Sequence, residues 1–66
     1  MKANKKRLEL AMARACLTAE DLTEKAKMPR PTLNNVITGR SVKPATLGRV
    51  ARALGVDVQD IMEEEA

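Results

Sequence analysis

An all-α domain is the fold class that this 66-residue chain predicts, and three observations predict it. Apolar residues recur at helical spacing along most of the chain, with no strand-like alternation. Residues that start and stop helices fall between those stripes, so the segments are short and separately bounded. From Leu17 to Gly39, LTAEDLTEKAKMPRPTLNNVITG reads as two helices of about two turns each, joined by a tight turn.

That stretch organises the rest. Thr18 is a good N-cap, and Asp21 three residues on can close a shorter-armed capping box. Helix two then covers 19–26, with Leu22 and Ala26 on one face. Lys27-Met28-Pro29 breaks it, because the residue before a proline is driven out of the α region. Helix three covers 30–37 and opens on Arg30 and Pro31, where proline removes only an N–H that has no intrahelical partner. Leu33, Val36 and Ile37 form its apolar stripe, and Gly39 supplies the stop. Two such helices with a short joint fit the helix-turn-helix that sets a recognition helix in the DNA major groove.

Three further helices are expected around this pair. Helix one covers 4–16, with Leu8, Ala11, Met12 and Ala15 as its core-facing stripe and Leu10 off it, partly exposed. Thr38 to Pro44 is a loop carrying Arg40 and Lys43. Helix four covers 45–54, turning Leu47, Val50, Ala51 and Leu54 inward and Arg49 and Arg52 outward, with Thr46 available to its cap. Gly55 ends it. Asp57 caps a fifth helix over 58–63, whose apolar face is Val58, Ile61 and Met62. The acids Glu63, Glu64 and Glu65 oppose the dipole at its C-terminus, so fraying is expected there.

Composition narrows the function. The chain reads as one domain, 1–66, near the lower size limit for an adequate core. With no aromatic residue, that core must come from Leu, Val, Ile, Met and Ala, and help from a partner subunit is expected. The single cysteine, Cys16, cannot form an internal disulfide, which points to a reducing compartment. It is expected as a small buried or half-buried side chain rather than a nucleophile. There is no histidine, no carboxylate pair in an apolar setting, no phosphate-cradling glycine loop and no metal-ligand cluster. An enzyme, a metal site and a cofactor are therefore not expected. No apolar run approaches the roughly 18–20 residues of a membrane span. The basic N-terminus passes into an amphipathic pattern rather than a signal peptide, so a cytoplasmic protein is expected, and with no second domain read in the sequence no small-molecule ligand is expected.

The net charge of +3 is mild, but its distribution is uneven. Residues 25–52 hold Lys25, Lys27, Arg30, Arg40, Lys43, Arg49 and Arg52 and no acid. Lys2, Lys5, Lys6 and Arg7 form a second basic cluster, whereas Asp57, Asp60, Glu63, Glu64 and Glu65 make the C-terminal end acidic. A solvated surface is the plain reading of such runs. The basic block coincides with the helix pair, however, which favours contact with phosphates.

Four pieces in order, LTAEDL, PRPTLNNVITG, RSVKPATL and VARALGVDVQDIM, resemble the Cro and phage-repressor helix-turn-helix family, also called XRE-like. The resemblance runs from Leu8 to Met62 and implies a compact five-helix, lambda-repressor-like domain. It also implies that Arg30, Pro31, Thr32 and Asn35 read bases, with Asn34 at the flank or backbone. The chemistry suits the roles: arginine can chelate guanine O6 and N7, asparagine can pair with adenine, and a threonine methyl can touch that of thymine. A helix-end cap for Thr32 and a solvated face for Asn35 are the alternatives, and Leu22, Leu33 and Val36 are core. For the DNA backbone the resemblance implies Arg40, Ser41 and Lys43 in the loop, and a phosphate seat near Thr18 and Ala19 at the start of helix two.

The chain departs from the family in four places. Ala19 stands where members often have a phosphate-binding glutamine, and Lys27 where the turn usually has glycine. Pro29 replaces the serine or threonine cap of helix three. Met12 and Ile37 replace a buried arginine–glutamate pair found in some members, an exchange that desolvation makes inexpensive.

The resulting expectation is a sequence-specific regulator of transcription that binds double-stranded DNA. It is expected to act as a repressor, as a homodimer on an inverted repeat, and to come from a bacterium, phage or mobile element. Val56, Val58, Ile61 and Met62 either form the dimer contact or close the monomer's own core. The alternative function is a protein-interaction module, antitoxin-like or adaptor, using helix five and the acidic tail to hold a protein partner. Salt-dependent DNA affinity separates the two.

Overall fold

Local capping chemistry sets the helix boundaries. The computed structural model describes residues 1–63, with α1 at Lys5–Ala15, α2 at Ala19–Ala26, α3 at Arg30–Ile37 and α4 at Pro44–Leu54. Asn4 opens α1 by accepting from the Arg7 backbone N–H at 3.1 Å. In α2 the capping box is complete: the Asp21 N–H donates to the Thr18 hydroxyl at 3.2 Å, and the Thr18 N–H donates to the Asp21 carboxylate at 3.1 Å. Neither α3 nor α4 has a side-chain cap; each begins at a proline-bearing first turn. Thr46 therefore does not cap α4. Lys43 occupies that position by its backbone, because Pro44 already fits the first helical turn.

Folding holds the Asp21 carboxyl below its ordinary pKa, chiefly through the Thr18 backbone N–H and then through the Thr18 hydroxyl. The contribution is thus complete above the unfolded pKa and fades as pH falls through the lower, folded one. Thr18→Ala is expected to cost about 0.5–2 kcal/mol at neutral pH. Asp21→Asn is expected to flatten the acid limb of stability. Urea midpoints measured from pH 7 down to pH 2 check both, and midpoints matching wild type throughout would show that the box contributes nothing.

Two helices end in the left-handed region on residues other than glycine: Cys16 at φ 55° and Lys27 at φ 54°. Such a residue costs roughly 1–2 kcal/mol where glycine is free to turn. Lys27 thus takes the left-handed turn itself at the position where the family usually has glycine, rather than the turn changing shape. Cys16 corrects its expectation. It is exposed, because the left-handed turn carries it outward and brings Leu17 in against the core. Gly55 closes α4 at φ 72° and bears no such cost.

Helix α4 is the centre of the packing, lying against α2, α1 and the C-terminal turn, while α2 also packs on α3. Leu8, Leu22, Leu33, Val36, Leu47, Val50 and Ile61 are wholly buried. Met12 and Ile37 pack half-buried against that cluster, as an apolar replacement for an ion pair should. Leu10 is 53% exposed, in line with its place off the stripe.

The fifth helix is the fold's main correction. Val58–Asp60 is a single turn of 3-10 helix. Asp57 accepts from the Gln59 N–H at 2.9 Å, and Asp60 accepts from the Asp57 N–H at 3.3 Å, so the box closes within one turn. Beyond it the chain pairs elsewhere. Met62 bridges Ala3, the Glu63 N–H donates to Lys2 at 2.8 Å, and the Ile61 carbonyl accepts from Asn4 at 2.7 Å. These long-range bonds replace the ones that would have continued the helix. The fraying expected at Glu64 and Glu65 lies outside the described residues.

Candidate nucleic-acid interface

Helix α3 has one face in the core and one in solvent. Leu33 and Val36 are buried, while Arg30, Pro31, Asn34 and Asn35 are exposed and Thr32 is half-buried. Arg30 is held in place: its Nε donates to Asn34 Oδ1 one turn on, at 3.1 Å. The terminal nitrogens of the guanidinium stay available as a fork. Asn34, expected only at the flank, is thus also the residue that orients Arg30. Nothing in the sequence pattern singles out that i, i+4 pair from other polar pairs on a helix. The Asn35 amide has no partner among the described residues. Thr32 is not a cap, since α3 begins without a side-chain cap.

The loop after α3 brings its three expected anchors to the surface. Arg40, Ser41 and Lys43 are all exposed. Thr38 closes α3 by donating its hydroxyl to the Asn34 carbonyl at 2.8 Å, and the Arg40 N–H reaches the Asn35 carbonyl at 3.0 Å. The loop is then fastened to the start of the chain, where the Met1 nitrogen donates to the Val42 carbonyl at 2.9 Å and the Val42 N–H donates to that of Met1 at 2.7 Å. Residues 1–4 therefore form a strap from this loop to the C-terminal segment, with Ala3 as its buried residue. Sequence reasoning missed the strap, because its bonds join residues about forty and sixty positions apart.

At the start of α2, Thr18 is exposed and Ala19 is half-buried. The Thr18 N–H and hydroxyl oxygen are engaged in the capping box, which leaves the hydroxyl proton to donate, and Glu20 and Asp21 add negative charge to that turn. An anion there would meet the remaining N–H groups of Ala19 and Glu20 against two carboxylates. This is a weaker seat than the loop offers.

Comparison with known families decides the identity: a family model described as a helix-turn-helix domain matches residues 6–63. The chain belongs to that family. The family is of the XRE and Cro-like type, and duplex DNA is the partner that its helix-turn-helix implies. Neither a curated protein nor a solved structure matches the chain. No helix among the described residues is long and apolar enough to cross a membrane.

The fold divides the basic block of this helix-turn-helix domain into two groups. Arg30, Arg40 and Lys43 belong to α3 and its following loop. Lys25, Lys27, Arg49 and Arg52 instead line an open groove of about 490 Å³, where the C-terminal end of α2 meets the second half of α4. Ala26 and Ala53 complete its lining.

The residues expected at a dimer contact are placed unevenly. Ile61 is wholly buried by its own chain, so it offers no surface to a partner. Val56, Val58 and Met62 are half-buried and pack against the same core.

Proposed function

We propose that this domain is a sequence-specific regulator of transcription that reads double-stranded DNA with α3 and performs no chemistry of its own. The observation that carries the reading is the exposed polar edge of α3, where Asn34 orients the Arg30 fork and Asn35 presents an unpaired amide. Arg30 faces guanine, Asn35 faces adenine, and Pro31 and Thr32 make apolar contacts beside them. Arg40, Ser41 and Lys43 fix the register on phosphates. The protein acts in the cytoplasm as a repressor, as a homodimer on an inverted repeat with half-sites about one helical turn apart.

Selection of bound oligonucleotides from a random duplex pool, at about 0.15 M salt, tests the reading under physiological screening. An enriched inverted repeat with fixed spacing is the expected result. Retention without a motif would remove sequence specificity, and no retention would leave the fold as a protein-interaction module.

Two substitutions then separate reading from anchoring. Asn35→Ala is expected to cost about 1–3 kcal/mol on the selected site and to relax preference at one base. Equal losses on selected and random duplexes would reject that role. Lys43→Ala is expected to weaken all sequences alike and to flatten the plot of log affinity against log salt by about one unit. An unchanged slope would remove Lys43 from the phosphate contacts.

A further inference from the structure

We propose that the groove between the end of α2 and α4 is a second, sequence-independent seat for duplex phosphates, separate from the recognition helix. The inference rests on the DNA-binding reading and adds a place on the molecule to it. Four cations converge there, and none is paired with an acid among the described residues. Clustered like charges repel one another and weaken the fold that holds them, so an anion is the partner that relieves them. None of Arg30, Arg40 and Lys43 lines the groove. Arg49 and Arg52 also sit five and eight residues into α4 beyond Pro44, roughly 7–12 Å along the helix axis from the end of the loop that carries Arg40 and Lys43.

The lining indicates which anion. Its only apolar side chains are Ala26 and Ala53, both nearly buried, the rest of its non-polar lining coming from the methylene stems of the four cations, and the chain has no aromatic side chain to stack on a base. A protein partner holds by anchoring large side chains in enclosed apolar pockets, whereas this open groove is walled by cations and has no large apolar side chain. A phosphodiester backbone needs only positive charge and room to approach, and the small alanines leave that room. The phosphates come either from duplex flanking the site that α3 reads or from a second duplex. In the first case the groove lengthens the footprint, and in the second it bridges two DNA segments.

Full-length protein carrying Lys25→Gln, Lys27→Gln, Arg49→Gln and Arg52→Gln tests this, with far-ultraviolet circular dichroism confirming that it folds. Affinity is measured against salt on a duplex of one selected site, on the same site with extended flanks, and in a two-duplex bridging assay. The expected result is that the variant keeps wild-type affinity for the short duplex. It loses up to about 3.6 units of salt slope, near 0.9 per phosphate, either on the flanked duplex or in bridging. Restoring charge with Lys at all four positions is expected to recover the slope. Identical slopes for wild type and the glutamine variant in every arm would overturn the proposal while leaving binding by α3 intact. Absence of wild-type binding to any duplex would instead overturn the DNA reading itself, and this proposal with it.

Discussion

Leu47→Ala is expected to remove about 2–5 kcal/mol of stability, the cost of deleting a buried leucine side chain and leaving a cavity behind. Leu47 is wholly buried on α4, the helix that packs against α1, α2 and the C-terminal turn. Because α4 packs on three elements, a shift of this helix to fill a cavity would loosen its packing on at least one of them. The whole domain has little to spare. At about 0.05–0.15 kcal/mol per residue, 66 residues give a total of roughly 3–10 kcal/mol. The variant is therefore expected to be largely unfolded at 37 °C or to survive only with DNA bound, since a ligand of the folded state adds stability by mass action. Urea unfolding checks it, read as a lower midpoint at unchanged slope, with Leu47→Met as a control expected to cost less than about 1.5 kcal/mol. A loss below about 1 kcal/mol in the alanine variant would mean that α4 is not the centre of the core.

What the sequence made legible follows the range of the forces involved. The boundaries of α2 and α3 agree with expectation to the residue, because Thr18, Asp21, Pro29, Pro31 and Gly39 act on their own neighbours. The inward faces of α1 and α4 were equally plain, since a 3.6-residue period needs no tertiary information. The main misreading has the opposite cause. The residues after Asp60 carry a helical pattern, yet their backbone groups bond to Asn4 and Lys2, on either side of the Ala3–Met62 pair, across nearly the whole chain. Met28 stands in the break between α2 and α3 as expected, and with Lys27 turned left-handed it also lies buried in the core. Cys16, expected buried or half-buried, is exposed for a local reason, a left-handed cap on a residue other than glycine. In the candidate interface, the polar face of α3 was legible from spacing. The Arg30–Asn34 bond and the grouping of four cations in one groove were not, because side-chain choice and helix-to-helix placement decide them.

Ile61→Ala is expected to cost about 2–5 kcal/mol as well, and its dependence on protein concentration carries more information than its size. Ile61 is wholly buried within one chain, and its carbonyl holds the Asn4 N–H of the N-terminal strap. A residue that closes its own monomer loses the same stability at every concentration. A residue buried against a second subunit loses stability that varies with concentration, because association then belongs to the unfolding equilibrium. Urea midpoints of wild type and variant, compared across a hundredfold dilution, are expected to stay a constant distance apart. A gap that narrows on dilution would return Ile61 to a subunit contact and would require the C-terminal segment to leave this core on pairing. A constant gap leaves the proposed homodimer to the half-buried Val56, Val58 and Met62. The strap extends the consequence, because the same four residues that bond to the C-terminal segment also fasten the loop of Arg40, Ser41 and Lys43 through Val42. Loosening Ile61 is thus expected to speed amide exchange at both Asn4 and Val42, at opposite ends of the strap. Faster exchange at Asn4 alone would show that the two ends open independently.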